Sequence, residues 1–322
     1  MKFLIAGYGS IGRRHFHNLL SLGERDIIFY RTHKSTLEDD ELKGYIIETE
    51  LESALGHDPD AVIVSNPTAC HLDIAIPAAK NGSHLLIEKP ISHSLDRIGQ
   101  LQRMVRDHNV KVLVGFQFRY HPNLLKVKEL LENKVLGRPL SVRAHWGEYL
   151  PDWHPWEDYR DSYSARKDLG GGVILTLCHP IDYLRWLFGE ITDLCSLVGY
   201  HSNLGIEVED TAEIGLQFED GVIGSLHLNY TQKPPRHTME IVCTDGTIRW
   251  DYFRNVVKCF QMGDEKAKNK WQITTTEQGF ERNDLFLKEM EHFIDVIKKS
   301  ISPVCNLEDG IRVLKIALRA RD

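Results

Sequence analysis

The sequence predicts an α/β chain in two parts: a doubly wound parallel sheet over residues 1–118, and an α+β domain with a large, mostly antiparallel open sheet over residues 119–322. Three observations predict it. A short apolar run, Lys2-Phe3-Leu4-Ile5-Ala6, breaks at Gly7-x-Gly9-x-x-Gly12 and passes into an amphipathic run with Leu19, Leu20 and Leu22 on its apolar side. Short apolar runs then alternate with helical patterns as far as Val114. From about Asn123 the pattern changes to helices followed by a succession of alternating runs, the mark of a separate α+β domain. Strand, glycine turn and helix in that order are the Rossmann-type dinucleotide fingerprint. Gly7 permits the tight turn, Gly9 lets the backbone approach a pyrophosphate, and Gly12 lets the helix pack on the strand. The free N–H groups of the first helical turn, from Ser10 and Ile11 onward, face the phosphates with the positive end of the helix dipole.

Length and composition bound the rest. A chain of 322 residues exceeds what one hydrophobic core usually supports, so two domains are expected. With 42% hydrophobic and 26% charged residues the composition is that of an ordinary globular protein. A net charge of −7 leaves no broad basic surface and argues against nucleic acid as a partner. No apolar stretch approaches the ~20 residues of a membrane span. The first strand begins at the N-terminus and leaves no room for a signal peptide. Cys70, Cys178, Cys195, Cys243, Cys259 and Cys305 are scattered, with no C-x-x-C, and read as reduced thiols of a cytoplasmic protein. No spacing suggests a metal site.

Along the first domain, Ile27-Ile28-Phe29-Tyr30 fits a second buried strand. The residue at its end reads the adenosine ribose. An acid there would favour NAD; here it is Arg31, followed by Thr32, His33, Lys34 and Ser35. A guanidinium pairs with a 2′-phosphate and stacks on adenine, so NADP is favoured over NAD. The other reading makes Arg31 a solvated charge, with Glu38, Asp39 or Asp40 folding back to the ribose. Ala61–Val64 is the next strand, ending in Ser65-Asn66-Pro67-Thr68 before a helix whose first turn holds His71. Asn66, Thr68 and His71 stand near the strand ends, where a cofactor sits, the other reading of His71 being a structural or solvated histidine. His84–Ile87 is a further strand and runs into Glu88-Lys89-Pro90. Helix Leu95–His108 and strand Val112–Val114 complete this half, and Arg119 and Tyr120 follow at the crossover, lining a substrate site or buttressing the junction.

The glycine turn, Asn66-Pro67-Thr68-x-x-His71 and Glu88-Lys89-Pro90 together resemble the glucose–fructose oxidoreductase/inositol dehydrogenase/MocA family. The resemblance implies that Lys89 reaches the nicotinamide ribose and substrate hydroxyls, that Glu88 and Pro90 belong to the cofactor site, and that Pro90 follows a cis peptide. A cation at a carboxyl strand end also suits an alkoxide forming during hydride transfer, the other reading being a Lys89 merely paired with Glu88.

In the second domain, Trp153-His154-Pro155-Trp156-Glu157-Asp158-Tyr159 is too aromatic for a solvated linker. Trp153, His154 and Tyr159 suit stacking on a sugar ring and bonding its hydroxyls, or a dimer contact. Arg166 and Lys167 hold an anionic substrate group or lie in solvent. Gly170-Gly171-Gly172 leads into the segment where the family carries Asp-x-x-x-His. His179-Pro180-Ile181-Asp182 matches the family's His-x-x-Asp, but the acid four residues before the histidine is Leu175 here. If the helix persists, Thr176, three before, shares a face with His179 and can bond a substrate hydroxyl without accepting its proton. His179 is the candidate general base, against the alternative of a satisfied structural histidine. Asp182 orients it or caps a neighbour. Pro180 makes the helix restart or bend there. Alternating runs from Leu194 to Gln261 build the open sheet, with one face free for a second subunit, and helices Asp284–Lys299 and Leu307–Ala320 end the chain.

The resulting expectation is an NAD(P)-dependent oxidoreductase acting on a secondary alcohol or ketone of a sugar, cyclitol or nucleotide-sugar, as a homodimer or homotetramer. Two alternatives stand beside it: transient oxidation by a bound cofactor that enables elimination or epimerisation, and a non-catalytic cofactor-binding sensor.

Overall fold

A computed structural model describes residues 1–33, 37, 40–261, 271–276 and 279–322. The chain divides into two compact units. The first comprises Met1–Gln117, Asp168–Gly171 and Arg282–Lys315; the second comprises Phe118–Lys167, Gly172–Glu281 and Ile316–Asp322. The C-terminal stretch Arg282–Lys315, which the sequence places with the second domain, therefore belongs to the first. Its apolar side chains explain the return. Helix α8 (Arg282–Lys298) buries Leu285, Phe286, Met290 and Phe293, and Val114 donates its N–H to the Cys305 carbonyl. Helix α9 (Leu307–Arg321) sets Gly310 where a methyl group would meet Ile91 and Val114.

The first unit is built on a six-stranded parallel sheet. Its strands are β1 (Lys2–Ala6), β2 (Asp26–Tyr30), β3 (Ile46–Glu48), β4 (Ala61–Val64), β5 (His84–Ile87) and β6 (Val112–Val114), in the order β3-β2-β1-β4-β5-β6. The central strands β1, β4 and β5 are buried along nearly their whole length, as parallel strands with both faces covered must be. Helices α1 (Ser10–Ser21), α2 (Leu51–Leu55), α3 (His71–Lys80) and α4 (Ile98–Asp107) supply the crossovers. The order reverses between β1 and β4, and the carboxyl ends of strands at such a switch point are where open α/β sheets bind ligands.

The second unit opens with α5 (Pro122–Glu132) and β7 (Pro139–Tyr149), followed by the short helix α6 (Val173–Thr176) and α7 (His179–Phe188). Seven strands follow: β8 (Ile191–Gly199), β9 (Thr211–Phe218), β10 (Ile223–Asn229), β11 (Thr231–Cys243), β12 (Gly246–Asp251), β13 (Val256–Gln261) and β14 (Trp271–Thr275). With β7 they form an eight-stranded sheet, ordered β14-β13-β12-β11-β7-β10-β9-β8. Every pairing is antiparallel except β7 with β10. Alternation puts Ala212, Ile214, Leu216 and Phe218 of β9 in the core while their neighbours face outward. All six cysteines are free thiols, and among the described residues no helix is long and apolar enough to cross a membrane.

Candidate active site

In the first unit the site begins at the turn between β1 and α1. Gly7 has φ +100°, and a Cβ there would lie 2.7 Å from the Asn66 nitrogen. A Cβ on Gly12 would lie 2.1 Å from the Gly7 carbonyl oxygen, so the helix packs on the turn only because that position is glycine. Gly9 differs: a methyl group there meets nothing within 4 Å. Two glycines serve packing, and the third leaves open space beside the first turn of α1, whose N–H groups have no side-chain cap. Ser65 closes the turn from β4 by donating its hydroxyl to the Gly7 carbonyl at 2.9 Å. Open space beside the first turn of a helix is what a pyrophosphate requires.

Two further strand ends are locked to each other by His71. Its Nδ1 lies 2.9 Å from the Pro90 carbonyl and its Nε2 lies 2.9 Å from the Asn66 carbonyl. Burial pushes its pKa down to about 4, so at neutral pH the ring is uncharged and one of the two contacts carries its single N–H. His71 thus presents both nitrogens to backbone carbonyls and braces the Asn66-Pro67 turn against Lys89-Pro90, whose peptide is cis. Asn66 donates to the Cys70 carbonyl, while its Oδ1 is buried with no hydrogen-bond partner among the described residues. Thr68 is buried. A Cβ on Gly170 would come within 3.1 Å of the Thr68 Cβ, so the first glycine of the later run lies beside it. Glu88 accepts from His15 Nε2 at 2.8 Å and from the Lys89 N–H at 3.3 Å. Burial works to raise its pKa, but the His15 hydrogen bond and charge and the charge of Lys89 prevail and hold it below the usual carboxylate value.

At the end of β2, Arg31 is buried, with its guanidinium 5.3 Å above the Tyr8 ring and a hydrogen bond to the Leu37 carbonyl. Thr32 is exposed. Lys34, Ser35, Glu38 and Asp39 lie outside the described residues; Asp40 stands in a short 3₁₀ turn, where it meets Lys43.

In the second unit, Pro180 resolves as a restart. α6 ends at Thr176 and α7 begins at His179, with Pro180 in its first turn, where a missing N–H breaks no helical bond. His179 is buried between aromatic rings: it stacks on Trp146 at 5.6 Å and meets the edge of Phe118 at 5.0 Å. Trp146 also stacks on His237 at 4.3 Å, and His237 reaches the Tyr183 hydroxyl at 3.2 Å. These contacts fix the plane of the His179 ring. The Tyr230 hydroxyl, which Thr176 influences electrostatically, is buried and donates to the Ser164 carbonyl. Trp153 of the aromatic loop packs edge-on against the same Tyr230 at 5.6 Å, so loop and helix share one anchor. Tyr159 donates to the Leu204 carbonyl at 2.8 Å, His154 packs on Trp156, and Arg166 is exposed. Tyr120 is half-buried. Arg119 holds Asp182 in a buried two-point ion pair, with N–O distances of 3.0 and 2.6 Å. Asp182 is thereby bound to Arg119 and organises the start of α7 through it.

Comparison with known proteins agrees with both halves. Residues 1–116 match the oxidoreductase family with an NAD-binding Rossmann fold, and residues 124–249 match the GFO/IDH/MocA C-terminal domain. The chain belongs to the glucose–fructose oxidoreductase/inositol dehydrogenase/MocA family. It is 28% identical over 344 residues to a myo-inositol 2-dehydrogenase of Thermotoga maritima, spanning 100% of this chain and 95% of that one. An uncharacterised oxidoreductase of Bacillus subtilis is 27% identical over 337 residues, 98% of this chain and 92% of the relative. Among solved structures, a levoglucosan dehydrogenase in complex with NADH and levoglucosan superposes with a TM-score of 0.87 at 20% identity, covering 99% of this chain and 96% of that one. That likeness shows the fold.

Several residues of this family member escape the motif reading. Glu209 is one: its carbonyl accepts the Val173 N–H at 3.0 Å and its carboxylate the Ile174 N–H at 3.2 Å, capping α6. Gly172, at φ +113°, is what admits it, because a Cβ there would lie 2.3 Å from the Glu209 carboxylate. His15, Trp146, Tyr183, Tyr230 and His237 are others. None has a local signature, since each acts on a partner at least 33 residues away along the chain. The one available signal was the crowding of histidine and aromatic residues at positions that read as core.

Proposed function

We propose that this chain moves a hydride between a nicotinamide cofactor and a secondary alcohol or ketone of a sugar, cyclitol or nucleotide-sugar, with NADP favoured over NAD. The observation that carries this reading is Lys89 at the carboxyl end of β5, on a turn braced by His71 and Glu88. It stands in the sheet whose β1–α1 turn leaves open space at Gly9. The sugar and cyclitol substrates named for the relatives support the substrate class.

When bound, the cofactor supplies the hydride acceptor or donor. The chain supplies the rest. Gly7, Gly9, Ser10, Ile11 and Gly12 hold the pyrophosphate, Arg31 and Thr32 meet the adenosine ribose, and Asn66 and Thr68 serve the nicotinamide side. His71, Glu88 and Pro90 shape the turn that carries Lys89. The ammonium of Lys89 stabilises negative charge growing on the substrate oxygen. His179 takes or returns the hydroxyl proton, its ring held flat on Trp146. Thr176 positions a hydroxyl together with Tyr230. Tyr120, Trp153, His154, Tyr159 and Arg166 select the substrate, and the Arg119–Asp182 pair sets the helix from which His179 projects. Six unbridged thiols fit a reducing, cytoplasmic setting.

The test is a panel of sugars, sugar acids and cyclitols, assayed with NADH, NADPH and their oxidised forms by absorbance. On the substrate found, His179→Ala should lower turnover by about 10²–10⁴, the usual range for a general acid–base group. Lys89→Ala should be at least as damaging, and Thr176→Val less, because it removes no proton acceptor. Near-normal turnover in His179→Ala would overturn the assignment of the base. Tightly held cofactor with no net oxidation or reduction during turnover would move the chain to the elimination or epimerisation class.

A further inference from the structure

A buried acid on the C-terminal helix completes the environment of the Lys89 turn. Glu289 of α8 is fully buried, and neither carboxyl oxygen has a hydrogen-bond partner among the described residues. It is not isolated from the site. Asn283 donates to Asn18 at 2.9 Å, and one turn further along each helix the Phe286 ring meets His15 at 6.4 Å. Because residue numbers rise on α8 as they fall on α1, the next turn of α8 carries Glu289 toward the glycine-turn end of α1. His15 holds Glu88 through Nε2, and its Nδ1 is buried without a hydrogen-bond partner. The negative charge of Glu88 reaches Glu289 as well. Three groups, Glu88, His15 and Glu289, thus gather from β5, α1 and α8 behind one turn. Gly115 makes room for them, since a Cβ there would lie 3.1 Å from the Glu88 carboxylate.

We propose that Glu289 is a positioning residue for Lys89: its carboxyl is linked through one water to the Glu88–His15 pair and so fixes the turn from which Lys89 projects. The proton count supports one arrangement. With Glu88 ionised and accepting from His15 Nε2–H, Nδ1 is the ring atom left to meet Glu289, and a carboxylic acid there has one proton to give. The charge of the ionised Glu88 stands beside that of Lys89. A second ionised carboxyl in the same buried space would leave one charge uncompensated, which is costly. The other charged or titratable groups facing the cluster are Arg14 on α1, which lies 4.4 Å over the Phe286 ring, and His71 on α3, which feels the Glu88 charge. Burial, and then the Glu88 charge, raise the Glu289 carboxyl well above its ordinary value of 4.5. A raised carboxyl pKa contributes stability below the unfolded value and loses it as pH rises.

The proposal rests on the assignment of Lys89 to the nicotinamide side, and the experiment separates the two. Melting curves without cofactor compare wild type with Glu289→Gln, which keeps the neutral shape but cannot ionise. The variant's Tm advantage should grow from about pH 5 to about pH 8.5. A Tm that is lower by a constant amount at every pH overturns the proposal. NADH and NADPH titrations by fluorescence then compare Lys89→Ala, Glu289→Gln and Glu289→Leu. Lys89→Ala and Glu289→Leu should each weaken binding about tenfold, the scale of one net hydrogen bond, and Glu289→Gln should stay within about twofold of wild type. If Lys89→Ala weakens binding and a folded Glu289→Leu does not, Glu289 is only structural. If Lys89→Ala leaves binding unchanged, the assignment of Lys89 falls and the proposal with it.

Discussion

Arg31 carries the proposed preference for NADP. It stands where β2 ends, the place from which a Rossmann sheet reads the adenosine ribose. Its planar group lies over Tyr8 and donates to the Leu37 carbonyl, so part of its hydrogen-bonding capacity is already used within the unit. On the proposed reading, its positive charge favours a 2′-phosphate over a bare hydroxyl. NADPH should therefore bind more tightly than NADH, and Arg31→Ala should narrow the gap by about 1–3 kcal/mol, the scale of a charge-assisted hydrogen bond. Calorimetric titration checks this; equal affinities in the wild type, or tighter NADH, would exclude the role. Gly7, Gly9, Gly12 and Lys89 were legible in the sequence because each belongs to a motif a few residues long. Glu289, His15 and Glu209 were not, because what they do depends on a neighbour supplied by a different element.

At the scale of elements, α5 offers a case where local chemistry and burial act in the same direction on acidification. His121 is its N-cap, and the ring accepts the Asn123 N–H at 3.1 Å, which requires an unprotonated Nδ1. Burial lowers its pKa to about 4. Between that value and the ordinary 6.5 the unfolded chain binds a proton that the folded chain does not, so stability falls as pH drops through this window. The full difference amounts to about 3 kcal/mol. His121→Asn keeps a capping acceptor without the titration, and its denaturant midpoint should vary less than the wild type's between about pH 6.5 and about pH 4. An unchanged slope would show that His121 is not the group responsible. Element boundaries followed the sequence closely where a strand was buried on both faces. β3 and β14 escaped, being three and five residues long with mostly exposed side chains, so that no burial pattern marked them.

Across the molecule, the sheet of the second unit leaves an outward face that is only partly polar. Leu197, Ile223 and Ile273 are 79%, 66% and 61% exposed. Val242, Ser141, Ile223 and Gln217 form one cross-strand row from β11 to β9. A face of this kind suits a second copy of the chain, so a homodimer or homotetramer through the sheet is expected. Light scattering at micromolar concentration should give a multiple of the chain mass, and Ile223→Arg should shift it toward the monomer. A monomeric wild type would exclude the arrangement.

What the sequence by itself determined is the part of this protein written in short-range order. The glycine turn, the apolar runs of the parallel sheet, the alternation of the second sheet and the strand-end position of Lys89 each depend on residues within one turn or one strand, where sterics and burial act locally. Tertiary structure alone decided the rest. It returned Arg282–Lys315 to the first unit, bound Asp182 to Arg119, stacked His179 on Trp146, and set Glu289 behind Glu88. Those outcomes turn on which buried charges and rings find partners from distant elements. That is a matter of packing and desolvation, and neither is encoded in the spacing of residues along the chain.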